Sequence, residues 1–296
     1  MRKSKILRIV LYIIGAFFVL TGGVLGWAYQ YRDPLFKRII AKLNQHINGQ
    51  LTAENFHFTP FADGIGFSFT LFNVHLRDTA YAKHGRELLF LERLSIQVDA
   101  KELLQRKLQI RSVGLKNGKI VVFRDSTGYS NLSVFQSQRH PNTSTDSSFK
   151  HNFLGKLREI CVAHVEFSLQ DSTRHKSIHF TVQDVTNYVH LQDTAWNLHL
   201  KGGVHFRQLA FNTKRGAFLS NKPTELDMRM TFIPPKKLLL IEPSQVHVSQ
   251  DLFAVKGKFD FAGQGRIKLD IRTDTIAALR ALSIIPPPLA QKIAQF

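Results

Sequence analysis

Thirteen histidines, one cysteine and a glycine-rich turn are the residues through which this chain could do chemistry. His164, His175, His179, His190, His199 and His205 are scattered among alternating apolar segments. None of them forms a His-Glu-x-x-His pair, a facial triad or a zinc spacing, so no metal is expected. Cys161 is the only cysteine. It can close no intramolecular disulfide, and between Ile160 and Val162 it reads as a small buried hydrophobe. Gly263-Gln264-Gly265 lacks the third glycine and the following helix that phosphate binding needs, so it reads as a hairpin turn. No Gly-x-Ser-x-Gly, P-loop or dinucleotide fingerprint occurs. The expectation is a protein that is not an enzyme and has no cofactor.

The chemistry that remains is apolar, and the elements that carry it are legible. Ile9 to Tyr31 contains no charged side chain and follows Arg2, Lys3, Lys5 and Arg8. At ~1.5 Å per helical residue it can cross a hydrocarbon core of ~30 Å, and it exceeds the ~7–15 apolar residues of a cleaved signal. A retained single-pass signal-anchor is therefore expected. Basic residues flank the span on both sides, with Arg32, Lys37, Arg38 and Lys42 following it. A long folded domain is exported whatever its charge, so residues 32–296 are placed outside the cytoplasm.

Asp33-Pro34 opens a short amphipathic helix with Leu35, Phe36, Ile39, Ile40, Leu43 and Ile47 on one stripe and Gly49 as its end. It either rests at the headgroup level or caps a neighbouring sheet. From Leu51 the period becomes two. Phe67, Phe69 and Leu71 share a face, and Val74 and Leu76 resume on the other parity, which predicts a β-bulge near Phe72 and Asn73. Leu94, Ile96 and Val98, then Leu198 and Leu200, then Phe259 and Phe261 repeat the pattern. Asn117-Gly118 and Gly202-Gly203 read as turns between strands. The fold class is mainly β: a long, twisted antiparallel sheet forming a groove or curled sheath, with short flanking helices. About 14 strands at ~4.8 Å would span ~70 Å.

The organisation expected is a basic tail and anchor (1–31), an amphipathic helix (32–50), a first β region (51–135), a Ser- and Thr-rich linker around Pro141 (136–150), a second β region (151–273) and a helical segment (274–296). In that last segment Ile276, Leu279 and Leu282 form a stripe before Pro286-Pro287-Pro288. The sequence stops inside an element, as a truncated product or a short natural protein would. Lys plus Arg outnumber Asp plus Glu by 40 to 22, a net charge of +18. The excess is spread singly, as in Lys116, Lys119, Lys201, Lys256 and Lys268, whereas nucleic-acid binders concentrate it. Anionic headgroups or acidic envelope polymers suit it better than nucleic acid.

The anchor, the helix ending in Asn48-Gly49-Gln50, and the runs Leu71-Phe72-Asn73-Val74-His75-Leu76-Arg77-Asp78, Leu94-Ser95-Ile96-Gln97-Val98, Leu103-Leu104-Gln105, Leu108 to Leu115, Gly118-Lys119-Ile120 and Arg124 to Asn131 together form a pattern. It resembles the AsmA-like envelope proteins, relatives of bridge-like lipid-transfer proteins with a repeating β-groove. The resemblance covers residues 1–135; beyond that it is architectural, apart from Ile284-Ile285-Pro286-Pro287. It implies an inner-membrane protein with its bulk in the periplasm, which moves phospholipid toward the outer membrane or supports outer-membrane assembly. An apolar sheet face must be covered, and only short helices are available. Acyl chains in a groove lined by Phe67, Phe69, Leu71, Leu94, Ile96, Val98, Leu198, Leu200, Phe259 and Phe261 are one solution. A closed core in an anchored scaffold for outer-membrane proteins or envelope polymers is the other. The partners expected are membrane phospholipid, the inner membrane through Ile9–Tyr31, and other envelope proteins.

Overall fold

The computed structural model describes residues 40–41, 44–45, 47–62, 66–99, 105, 109–135, 157–192, 194–262, 266–274, 276, 280, 282, 284 and 287–293. The expected span Ile9–Tyr31, the linker 136–150 and the turn Gly263-Gln264-Gly265 lie outside them. Among the described residues no helix is long and apolar enough to cross a membrane. Met1–Gln45 forms a unit separate from His46–Phe296. In the first, the Gln45 amide donates to the Ala41 carbonyl over 3.1 Å, one turn of the expected helix.

The second unit is one open sheet. Its strands are β1 (Gly49–Thr52), β2 (Asn55–Ala62), β3 (Gly66–Asp78), β4 (Leu89–Asp99), β5 (Ile110–Arg124), β6 (Glu159–Asp171), β7 (Lys176–Gln192), β8 (Ala195–Ala210), β9 (Leu219–Ile233), β10 (Leu238–Val248), β11 (Asp251–Asp260) and β12 (Arg266–Arg272). From β3 onward they lie side by side in chain order, with β1 and β2 both on the outer edge of β3. Leu51↔Leu76 and Phe56↔Leu71 keep one register, so β1 and β2 are a single edge strand interrupted near Ala53 and Glu54. The mainly β reading holds, and the β regions on both sides of the linker join the same sheet.

The sheet is not wholly antiparallel. β5 and β6 run parallel, from Ser112↔Glu159 to Arg124↔Asp171. A tight hairpin cannot make that pair; the chain must return to the level where β5 began, and the segment after Arg124 makes this crossover. Two expected turns are also corrected. Asn117-Gly118 lies inside β5 and Gly202-Gly203 inside β8. Segments read as separate strands on either side of them are therefore single strands of 15 and 16 residues.

The crossover starts in a fixed way. Asp125 Oδ1 accepts the Thr127 amide, the Thr127 hydroxyl and the Tyr129 amide, closing an Asx-type loop. Asn131 is fully buried in the following 3₁₀ turn, Asn131–Phe135. Its Nδ2 donates to the Val121 carbonyl and its Oδ1 accepts the Phe123 amide, which fixes the turn to β5. Val134 of that turn packs with Leu76 and Leu88, joined by Ile47, Leu51, Leu89 and Val122. At the other end of the chain a helix, Pro287–Ile293, starts at a proline, which suits the first helical position because its missing donor is unneeded there.

Candidate functional site

Residues paired directly across a sheet share a face, so ladder partners trace a path across it. One path runs Phe56, Leu71, Leu94, Leu115, Val162, Val185, Gly202, Leu226, Val246, Phe253, one residue from each strand β2 to β11. A second runs Val74, Leu91, Gly118, Val165, Val182, Val204, Thr224, Val248, Asp251. In β3 to β7 the two paths are three residues apart along each strand, although an ordinary strand returns to the same face after two. They nevertheless share a face: Val182 and Val185 pack in one cluster with Val204, Phe180, Leu200, Phe206 and Leu226.

A line of residues between the paths explains the spacing. Asn73, Glu92, Asn117, His164 and Gln183 each fall between ladder partners and take no part in the pairing. Asn73, Asn117 and His164 are left-handed, with φ of 49°, 53° and 53°. A left-handed residue in a strand turns the next side chain to the face it would otherwise miss. The expected irregularity at Asn73 is there, but the register from Phe72↔Arg93 to Val74↔Leu91 shows no inserted residue in β3. All five strands change parity together, and the sheet is creased along the line. At β8 the crease ends in a true bulge, with Gln183 extra between Val182↔Val204 and Asp184↔Gly203.

The crease is tight. A Cβ on Gly118 would lie 2.1 Å from the Phe90 carbonyl oxygen, and one on Gly202 would lie 2.0 Å from that of Asp184. At its floor Val74 and Leu91 are 0% exposed and Val165 is 1% exposed. On either side the face stays apolar and half-buried. One flank carries Phe69, Ile96, Val113, Ile160 and Leu200, interrupted by Asn187, whose Oδ1 is buried without a hydrogen-bond partner. The other carries Phe167, Phe180 and Phe206, with ring centroids 4.9 Å and 5.4 Å apart in sequence.

The ten residues expected to line an apolar face fall as follows. Phe67↔Val98, Phe69↔Ile96 and Leu71↔Leu94 are direct partners on β3 and β4. Leu200 is reached from Phe69 through Ile96, Val113, Ile160 and Asn187, and Leu198 pairs with Val189 on the same face of β7. Phe259 pairs with Leu239 and Ile267. Phe261 lies just past β11, 56% exposed, its ring stacked on Phe259. The three groups sit on one face but apart, and the crease floor between them is not among the ten. Its signal was the i, i+3 valine spacing of Val162/Val165 and Val182/Val185.

The opposite face carries the polar chemistry. His199 Nε2 lies 2.6 Å from Asp227 Oδ1, with Lys201 Nζ 3.6 Å from Oδ2. The His199 hydrogen bond, with Lys201 beside it, holds the Asp227 carboxyl below its ordinary range. His179 meets Glu166 over 2.5 Å, and His205 meets Asn221 over 2.7 Å. These histidines are each tied to one partner, and no group of three metal-binding side chains occurs among the described residues. Cys161 is half-buried, 3.9 Å from the Thr186 hydroxyl, and burial pushes its thiol up, away from reactivity.

Neither a family model nor a curated protein sequence matches this chain.

The N-terminal end of the sheet holds a second polar group. Asp78, 5% exposed, accepts from the Tyr129 hydroxyl and from His84 Nε2 at 3.0 Å. His84 Nδ1 accepts the Arg86 amide, so the neutral ring carries its proton on Nε2. Ser133 Oγ lies 3.2 Å from the Tyr129 oxygen and is left to donate to it. With both ring nitrogens committed, the cluster has no free base. Its work is to tie the β3–β4 turn to the start of the crossover.

Proposed function

We propose that the creased apolar face takes the acyl chains of phospholipid, in a membrane-anchored, AsmA-like envelope protein that is not an enzyme. Ile9–Tyr31 anchors the chain in the inner membrane, and residues 32–296 lie in the periplasm. There the trough carries lipid toward the outer membrane. The observation that supports this reading is the continuity of the first path: from Phe56 to Phe253 the only residue without an apolar side chain is Gly202. A path of that kind suits a chain of methylene groups, each contributing ~0.8 kcal/mol when removed from water. Eleven strand positions at ~4.8 Å make the trough ~50 Å long, so the lipid passes to or from another protein.

One feature favours a second reading, an anchored scaffold for envelope assembly whose apolar face is closed. Ile276 and Ile284 pack on Val246, Val248 and Phe253, and Arg280 Nη2 reaches Asp251 Oδ1 over 3.3 Å. That end of the face is covered by the chain itself.

Native mass spectrometry of the purified full chain separates the two. Co-purified phospholipid, with transfer between donor and acceptor vesicles, is the expected result. A chain that carries no lipid and moves none between vesicles refutes the conduit and leaves the scaffold.

A further inference from the structure

The geometry points to β12 as a docking edge for a strand of a partner protein that alternates apolar and acidic residues. The two edges of the sheet are built differently. The β1–β2 edge is interrupted near Ala53 and Glu54, slips register between Thr59 and Ala62, and loses a backbone donor at Pro60. Such breaks are how sheets stop further pairing. β12 has none of them. Arg266 to Arg272 pairs with β11 in one unbroken register, and no further strand flanks it among the described residues.

The inner face of β12 continues the trough beyond the part on β10 and β11 that Ile276 and Ile284 cover. Ile267 and Ile271 are 41% and 58% exposed, whereas Phe253, at the end of the first path on β11, is 7% exposed. A strand added outside β12 would cover them with its own apolar residues. The outer face fixes the partner's charge. Arg266, Lys268 and Arg272 alternate with the inner residues, and Asp270 is already engaged by Arg272 at 3.1 Å and Lys256 at 3.3 Å. Lys258 and Lys268 face each other directly, a like-charge pair that a neighbouring carboxylate would relieve. A second copy is the poorer occupant, because antiparallel β12–β12 pairing about Leu269 sets Arg266 against Arg272 twice and so cancels its two Lys268–Asp270 attractions, whereas an acidic strand gains on balance. This inference is independent of whether acyl chains fill the trough.

The test uses the purified full chain and two synthetic nine-residue peptides, one alternating valine with glutamate and one alternating valine with lysine. Each is N-methylated along one edge so that it cannot stack on itself. Titration followed by fluorescence anisotropy should show the glutamate peptide binding about 10-fold more tightly, the three attractive pairs at Arg266, Lys268 and Arg272 outweighing the one repulsion at Asp270. Lys268→Glu, at an exposed position, should narrow or invert that preference while the circular dichroism spectrum stays unchanged. Equal binding of both peptides, binding of neither, or a preference untouched by Lys268→Glu overturns the proposal. Self-association of the full chain that Lys268→Glu changes would place a second copy at this edge instead, and overturns it too.

Discussion

Asn117 of β5 and His164 of β6 occupy the same rung of the parallel β5–β6 ladder, between Lys116↔Ala163 and Gly118↔Val165, and both hold φ at 53°. The left-handed region costs an L-residue ~1–2 kcal/mol, and asparagine tolerates it better than histidine. His164 is exposed, whereas Asn117 Nδ2 also donates to Glu92 Oε2 over 2.8 Å. His164→Gly should therefore raise stability by ~0.5–1 kcal/mol, and His164→Val should lower it by ~1–2 kcal/mol or more. Urea unfolding of the two variants checks the sign of each.

Gly118 has no such latitude. A methyl group at this position would meet the Phe90 carbonyl oxygen at 2.1 Å and Leu91 Cα at 2.9 Å, both backbone atoms that cannot step aside. Gly118→Ala should cost ~3 kcal/mol or more by forcing β4 and β5 apart, well above the ~1 kcal/mol typical of a substitution. A thermal melt that matches the parent would mean the crease is shallower than described.

Much of the fold is legible in the sequence, and the parts that are not share one physical cause. Alternation located the strands, and the parity change at Phe72–Asn73 marked the crease at its first strand. Asn117-Gly118 and Gly202-Gly203 resemble turns because asparagine and glycine suit a left-handed residue inside a bent strand as well as one in a hairpin. The local sequence is the same; only the strand beyond distinguishes them. The parallel β5–β6 pair was hidden for a related reason, since a polar, aperiodic segment does not declare whether the chain turns back or crosses over. The face residues were recognisable by period, but the rows joining Phe69 to Leu200 depend on register, which no single strand carries.

Polar substitution distinguishes an occupied trough from a closed core. Phe69 and Leu198 are half-buried rather than sealed. Phe69→Glu and Leu198→Glu should leave the fold intact and cut co-purified phospholipid several-fold. Loss of cooperative unfolding in both, with a cost of ~3 kcal/mol or more from burying an unpaired carboxylate, would instead assign the face to a packed core.

Tyr129→Phe removes one donor from Asp78, whose side chain is 0% exposed beside His84. A buried acceptor losing a charge-assisted partner costs ~1.5–3 kcal/mol. Denaturant titration should show that loss, and Ser133→Ala, which leaves the Asp78 contact in place, should cost less.

Glu87 gives the acid limb of stability a specific source. Burial would raise its carboxyl, but hydrogen bonds from His75 at 3.0 Å and from Arg77 outweigh this and hold it below the ordinary range. A depressed carboxylate contributes stability above its unfolded pKa of ~4.3, and that contribution disappears as pH falls through the lower folded value. Glu87→Gln should flatten the stability profile below about pH 4. Parallel profiles for the two proteins over that range would contradict the assignment.

The parallel β5–β6 junction also has a cost in chain entropy. Within β1 to β5 and within β6 to β12 consecutive strands are joined by connections of ten residues or fewer, such as the four residues between Asp171 and Lys176. Joining β5 to β6 closes the 34 residues between Arg124 and Glu159, which costs ~2 kcal/mol more in chain entropy than the four-residue turn. The union of the two meanders therefore carries the largest loop-closure cost among the described strand pairings. The Asp125 loop and the buried Asn131 clamp shorten the search by fixing the first part of that excursion to β5 before β6 arrives.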